Sequence, residues 1–140
     1  MGYRSDVAYV LRFDNKADMD AFTALQLAKQ DEHINDALKE LRLIQSTSRA
    51  RILFFYAENV KWYQGYSDVD SHEVLLKQAI EMFDTAGYRF VRIGENYDDV
   101  ELKDEGDYDH LWDYIDVYRP TINSDVGNTT PIINDEGEVA

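Results

Sequence analysis

The chain has 140 residues and a hydrophobic share of 44%, a length and content that suit one compact domain with a single core. It has no cysteine, which excludes a disulfide framework and thiolate metal sites. It also lacks the apolar runs of a signal peptide or a membrane span, so a soluble protein that stays where it is made is expected. With 28 acidic and 14 basic residues the net charge is −14, a balance that repels nucleic acid and anionic lipid and favours basic partners.

In chain order, Tyr3 to Phe13 reads as a first strand, with Val7, Tyr9, Leu11 and Phe13 on one face and Ala8, Val10 and Arg12 on the other. Asn15 and Asp18 then mark a helix start, and Met19, Phe22 and Leu25 give a helical stripe over 16–29. Ile34, Ala37, Leu38 and Leu41 repeat the helical period, so residues 16–44 are filled by one bent helix or two. The segment 51–63 is the densest in β-branched and aromatic residues and is apolar on both faces, as a central strand must be. Glu58 and Asn59 interrupt it, which predicts a bulge or bend.

Asp70 and Glu73 resemble a capping box, Leu75, Leu76, Ala79, Ile80, Met82 and Phe83 form a broad apolar face, and Gly87 suits a helix C-terminus. A helix over 71–86 is expected. Strands follow at 88–93 and, after a turn at 94–96, at 100–103. Residues 111–118 alternate as a last strand ended by Pro120, and the core is expected to unite Phe54, Phe55, Leu75, Ile80, Phe83, Val91 and Ile93. The fold class is therefore α+β: one domain with a four- to five-stranded mixed or antiparallel sheet and helices mainly on one face. A ferredoxin-like arrangement is one that this order admits. Residues 1–122 make up the domain, and 123–140 read as an acidic, flexible C-terminal tail, with Ile132 and Ile133 as the residues able to dock it.

The charge is unevenly spread. Residues 1–94 carry −2, residues 95–116 carry −9 and residues 117–140 carry −3. Glu95, Asp98, Asp99, Glu101, Asp104, Glu105, Asp107, Asp109, Asp113 and Asp116 crowd one segment, interleaved with Tyr97, Tyr108, Trp112, Tyr114 and Tyr118. Arrayed carboxylates can stand in for phosphates in a nucleic-acid-binding groove, while aromatics supply contact area. The leading candidate surface is thus Glu95, Asp98, Asp99, Glu101, Asp104, Glu105, Asp107, Asp109, Trp112 and Asp116. The plain alternative is that these acids only maintain solubility.

A second candidate is a ligand pocket in which Trp62, Tyr63 and Tyr66 supply stacking rings and Arg89 or Arg92 reaches an anion. Asp84 followed by Glu101-Leu102-Lys103 superficially fits a metal-dependent nuclease pattern, but in so acidic a chain the pattern arises easily by chance. His33 and His72 read as surface residues, and His110 is at ligand spacing with neither. No phosphate loop, calcium loop or two-histidine motif is present, so no catalytic activity, cofactor or metal is expected.

The words Met1-Gly-Tyr-Arg-Ser-Asp-Val-Ala8, Glu58-Asn-Val-Lys-Trp-Tyr63 and Phe90-Val-Arg-Ile-Gly-Glu95, with Tyr66, Asp68, Val69, Asp98 and Asp99, resemble small acidic proteins of tailed bacteriophages over about residues 1–119. The resemblance implies a viral protein in the host cytoplasm. It carries over no activity and no functional residue. The expected function is an accessory phage protein that binds and inhibits a basic host protein, such as a nucleic-acid-handling defence complex. The alternatives are a nucleotide-binding sponge and a small virion or assembly component. Direct nucleic-acid or membrane contact is not expected, and a homo-oligomer is compatible with the sequence.

Overall fold

The computed structural model describes residues 2–108, 111–118, 121–124 and 126–139. Among these described residues the main sheet has six antiparallel strands: β1 (Ser5–Phe13), β2 (Arg42–Ile44), β3 (Arg51–Val60), β4 (Gly87–Gly94), β5 (Val100–Gly106) and, beyond a separate hairpin, β8 (Thr129–Pro131). The hairpin is β6 (Ile115–Tyr118) with β7 (Thr121–Ser124). The sheet order β5-β4-β1-β3-β2-β8 corrects the expected four or five strands to six. Strands β1 and β3 lie in its middle, where both faces must be apolar. Glu58 and Asn59 fall where β3 has one residue more than β1 between the pairs Val7↔Ala57 and Ser5↔Val60. Asn59 sits there at φ 55° and its amide donates to Asp6 Oδ1 at 2.8 Å, which is the expected bulge.

Among the described residues three helices cover one face: α1 (Lys16–Ala28), α2 (Glu32–Glu40) and α3 (Ser67–Met82). The side chain of Asn15 caps α1 through the Asp18 amide at 2.9 Å, and Asp31 caps α2 through the amides of His33 and Ile34. Residues 16–44 are therefore two helices, with Gln30 at φ 52° between them, followed by a strand that helical periodicity concealed. Three residues carry too little pattern to announce a strand, and β2 owes its state to pairing with β3 and β8. Helix α3 begins at Ser67 rather than 71, and Asp70 accepts the Gly65 amide at 3.0 Å, so the expected capping box does not form. Gly87 does not close the helix either: it opens β4. A Cβ there would lie 2.1 Å from the carbonyl oxygen of Asp107, so glycine is needed for close backbone approach.

From β1 to β4 the elements follow the order of a split β-α-β unit, ferredoxin-like in its spatial order β4-β1-β3-β2, with two helices in the first crossover. Two cores result. Val7, Tyr9, Leu11, Phe13, Leu53, Phe55 and Phe90 meet the helices, whereas Ala8, Val10, Ile52, Val91 and Ile93 meet Leu111, Ile115 and Ile122 on the other face. The single core expected from sequence is thus divided: Phe55, Leu75, Ile80 and Phe83 pack on the helix side, Phe54, Val91 and Ile93 on the hairpin side. Residues 111–118 are not one strand but a 3₁₀ turn, Leu111–Asp113, leading into β6. The strand end expected at Pro120 lies outside the described residues.

The flexible tail is also corrected. Strand β8 pairs with β2, and Ile132 and Ile133 are buried in the helix-side core, because an unpaired β2 edge and an apolar pair satisfy each other.

Candidate functional site at the β4–β5 edge

Strand β5 is one edge of the sheet, and the side-chain alternation of a strand distributes its acids over both faces. In register, Glu101 and Glu105 stand opposite Arg92 and Tyr88, and Asp104 stands opposite Arg89. The Arg92–Glu101 and Arg89–Asp104 pairs are cross-strand ion pairs rather than free charges. Arg92 Nε donates to Glu101 at 3.0 Å, and its two terminal nitrogens donate to both oxygens of Asp99 at 2.8 and 3.1 Å. Arg89, on the hairpin side, donates to both oxygens of Asp104 at 3.0 and 2.9 Å, to Asp116 at 3.3 Å and to the Ile115 carbonyl at 3.2 Å. Arg12 reaches Asp107 at 3.3 Å.

Of the candidate surface, Asp99, Glu101 and Asp104 are half-buried and engaged by arginines, and Asp107 and Asp116 also make ion pairs within the chain. Glu95, Asp98, Glu105 and Asp113 are exposed and make no ion pair among the described residues. Trp112 is 57% exposed. Asp109 lies outside the described residues.

Hydrogen bonds from Arg92 and then from Tyr3 lower the Asp99 pKa to about 2. Burial works to raise that of Glu101, but hydrogen bonds from Arg92 and Lys103 outweigh it and the net direction is down. Arg92 is held protonated, first by Asp99. Tyr88 is pushed up to about 12 by burial and then by Glu105. The edge is a neutralised arginine–carboxylate lattice with a residual anionic rim.

The second candidate cluster comes together only in part. Trp62, Tyr63 and Arg92, with Tyr3, Gln64, Glu73, Phe90, Asp99 and Glu101, line an open cavity of about 450 Å³. Tyr66 meets Tyr63 edge-on at 5.4 Å between ring centres but does not line the cavity. Arg89 is on the opposite face, since it is one residue from Phe90 in an alternating strand. Arg92 donates to Asp99, Glu101 and the Ser5 hydroxyl, so its donors are already engaged, contrary to an anion-receiving role.

Below the cavity lies a feature that sequence reasoning missed. His72, expected on the surface, is 2% exposed. Its Nδ1 shares a 2.7 Å hydrogen bond with the Tyr9 hydroxyl, and its ring packs 4.3 Å from Phe55 and 5.6 Å from Trp62. Nε2 lies 3.6 Å from Glu40. The signal is the stripe Val69, His72, Leu76 and Ala79 at helical spacing, which shows only with the helix beginning at Ser67.

The nuclease-like triad does not assemble. Asp84 precedes β4, and Glu101 pairs with Arg92 five residues into that strand, roughly 17 Å further along. Among the described residues no group of three His, Asp or Glu side chains is placed to share a metal ion, and no helix is long and apolar enough to cross a membrane. Comparison with protein-family models, curated proteins and solved structures returns no match for the chain.

Proposed function

We propose that this chain is a non-catalytic accessory protein of a bacteriophage that acts in the host cytoplasm by binding and inhibiting a basic host protein through its β4–β5 edge. One observation carries the reading. Arg12, Arg89 and Arg92 engage acids of the segment 95–116 and reduce its charge from −9 to −6, and the excess includes the exposed carboxylates Glu95, Asp98, Glu105 and Asp113, which make no ion pair among the described residues. A protein gains nothing in folding from such uncompensated repulsion along one edge, whereas a partner with a positive groove gains both encounter rate and register. A protein whose own work is to hold nucleic acid has such a groove. Resemblance to small phage proteins supports the setting.

The test is affinity purification from infected cells with the parent protein and with Glu95→Gln, Asp98→Asn, Glu105→Gln and Asp113→Asn combined. These changes spare every arginine pair. The parent should capture a basic protein at low salt, less of it as ionic strength rises, and the variant should associate more slowly with unchanged melting temperature. Equal capture by both forms at every salt concentration overturns the reading.

A further inference from the structure

The cavity between α3 and the β4–β5 edge has the wrong sign for a nucleotide and the right one for a cation. Its single arginine is consumed by Asp99 and Glu101, and Glu73 adds a third carboxylate that has no ion pair among the described residues. Lining charges thus sum to −2, or −1 when the neighbouring Lys103 is included. Rings form the rest of the wall: Trp62 and Tyr63 are half-buried, and Phe90 is 5% exposed. The Lys103 ammonium, 3.0 Å from Glu101, already lies over the Phe90 ring at 5.6 Å from its centre. One ring of the cavity wall thus already faces a cation in the folded chain itself.

We infer that this cavity receives a guanidinium-bearing side chain, an arginine projecting from the basic partner, with Glu73 as its carboxylate and the rings of Trp62 and Tyr63 as its walls. Arginine suits it better than a compact ammonium because a planar guanidinium stacks on a ring while donating in its own plane to a carboxylate. At about 450 Å³ the space is within the range of small-ligand pockets and ample for one side chain. The inference rests on the binding reading above and gives that surface a specific anchor of the kind that dominates interface energetics.

The probe is N-acetyl-arginine amide, titrated into ¹⁵N-labelled protein, with the isosteric but uncharged citrulline derivative alongside. Saturable shifts should appear at Trp62, Tyr63, Gln64 and Glu73, with a dissociation constant in the millimolar range. Citrulline should bind at least about tenfold more weakly, as should arginine to Glu73→Gln, the loss that follows from one charge-assisted hydrogen bond. The dispersion of the variant's spectrum verifies its fold. Shifts scattered elsewhere, equal binding of citrulline, or an unaffected Glu73→Gln overturns the inference. Arginine binding without capture of any basic protein leaves the cavity assignment standing and removes the proposed function. Salt-sensitive capture that Glu73→Gln does not weaken, with no arginine binding, does the reverse.

Discussion

Arg92 on β4 grips Asp99 with both terminal nitrogens, at 2.8 and 3.1 Å, and the same carboxylate accepts the Tyr3 hydroxyl at 2.6 Å. The pair ties the segment before β1 to the β4–β5 turn. Gly94 completes the arrangement, since a Cβ there would fall 2.1 Å from Asp99 Oδ2 and 2.2 Å from the Tyr3 oxygen.

This geometry sets an acid limit on stability. Asp99 titrates at about 2 in the folded chain against an ordinary 3.8, so between those values the folded state binds fewer protons than the unfolded one. Its stabilisation is complete above the ordinary value and is lost as pH falls through about 2. Asp99→Asn should melt below the parent at about pH 5, with the gap closing as pH approaches about 2. Calorimetric melting across that range measures it, and a gap independent of pH would show that the pair does not shift Asp99.

Arg89 should matter structurally more than Arg92. Its side chain is 11% exposed and joins β4 to β5 through Asp104 and to the hairpin through Asp116 and the Ile115 carbonyl. Removing one partner of a buried pair costs about 3–5 kcal/mol, and because Asp104 is 23% exposed, a loss of roughly 2–3 kcal/mol is expected for Arg89→Met. Urea titration measures it. A change in Trp112 emission before the main transition would report the hairpin loosening first, and an unchanged midpoint would count against the link.

How much of this was legible in the sequence depended on how many residues carried each pattern. The alternation Val7 to Phe13 and the break at Glu58-Asn59 were readable because period and interruption are local. The two-sided core was foreshadowed by the apolar residues on both faces of 51–57, yet one core was expected, because nothing local says what covers the second face. In sequence Arg89 and Arg92 look like anion ligands, since the carboxylates that satisfy them arrive only through the β4–β5 register. His72 reads as a surface residue only when the helix is taken to start at 71, and β2 and β8 are three residues each, below the length at which alternation is distinguishable.

The divided core makes adjacent phenylalanines unequal. Phe55 is 3% exposed and packs on Tyr9, Trp62 and His72, whereas Phe54 is half-buried on the hairpin side. Phe55→Ala should cost about 3–5 kcal/mol, and Phe54→Ala roughly half of that because less area leaves water on folding. Chemical denaturation of the two variants side by side checks the order. A Phe54 variant less stable than its neighbour would place the principal core on the hairpin side.

The C-terminal segment gives the strongest test of the corrected domain boundary. Strand β8 pairs Thr129, Thr130 and Pro131 with Ile44, Leu43 and Arg42, and the Gln45 amide donates to Asn128 at 2.9 Å. Arg42 adds hydrogen bonds to the Thr129 hydroxyl and carbonyl at 3.2 and 3.1 Å. Behind the strand, Ile132 and Ile133 are 6% and 2% exposed, and Ile133 also bridges to Val139. Burying one isoleucine is worth about 1.5–3 kcal/mol, so losing both removes roughly 3–6 kcal/mol from a domain whose total is of order 5–15 kcal/mol. Truncation after Ser124 also uncovers the β2 edge, which should promote association between chains. The truncated protein is therefore expected to be partly unfolded or aggregated at room temperature, and Ile133→Ala alone to lose about 2–4 kcal/mol with no new edge exposed. Comparing the two separates core loss from edge exposure: urea midpoints report the first, and light scattering at increasing protein concentration reports the second. A truncated chain with the parent's midpoint would return residues 125–140 to the solvated tail that their composition suggested.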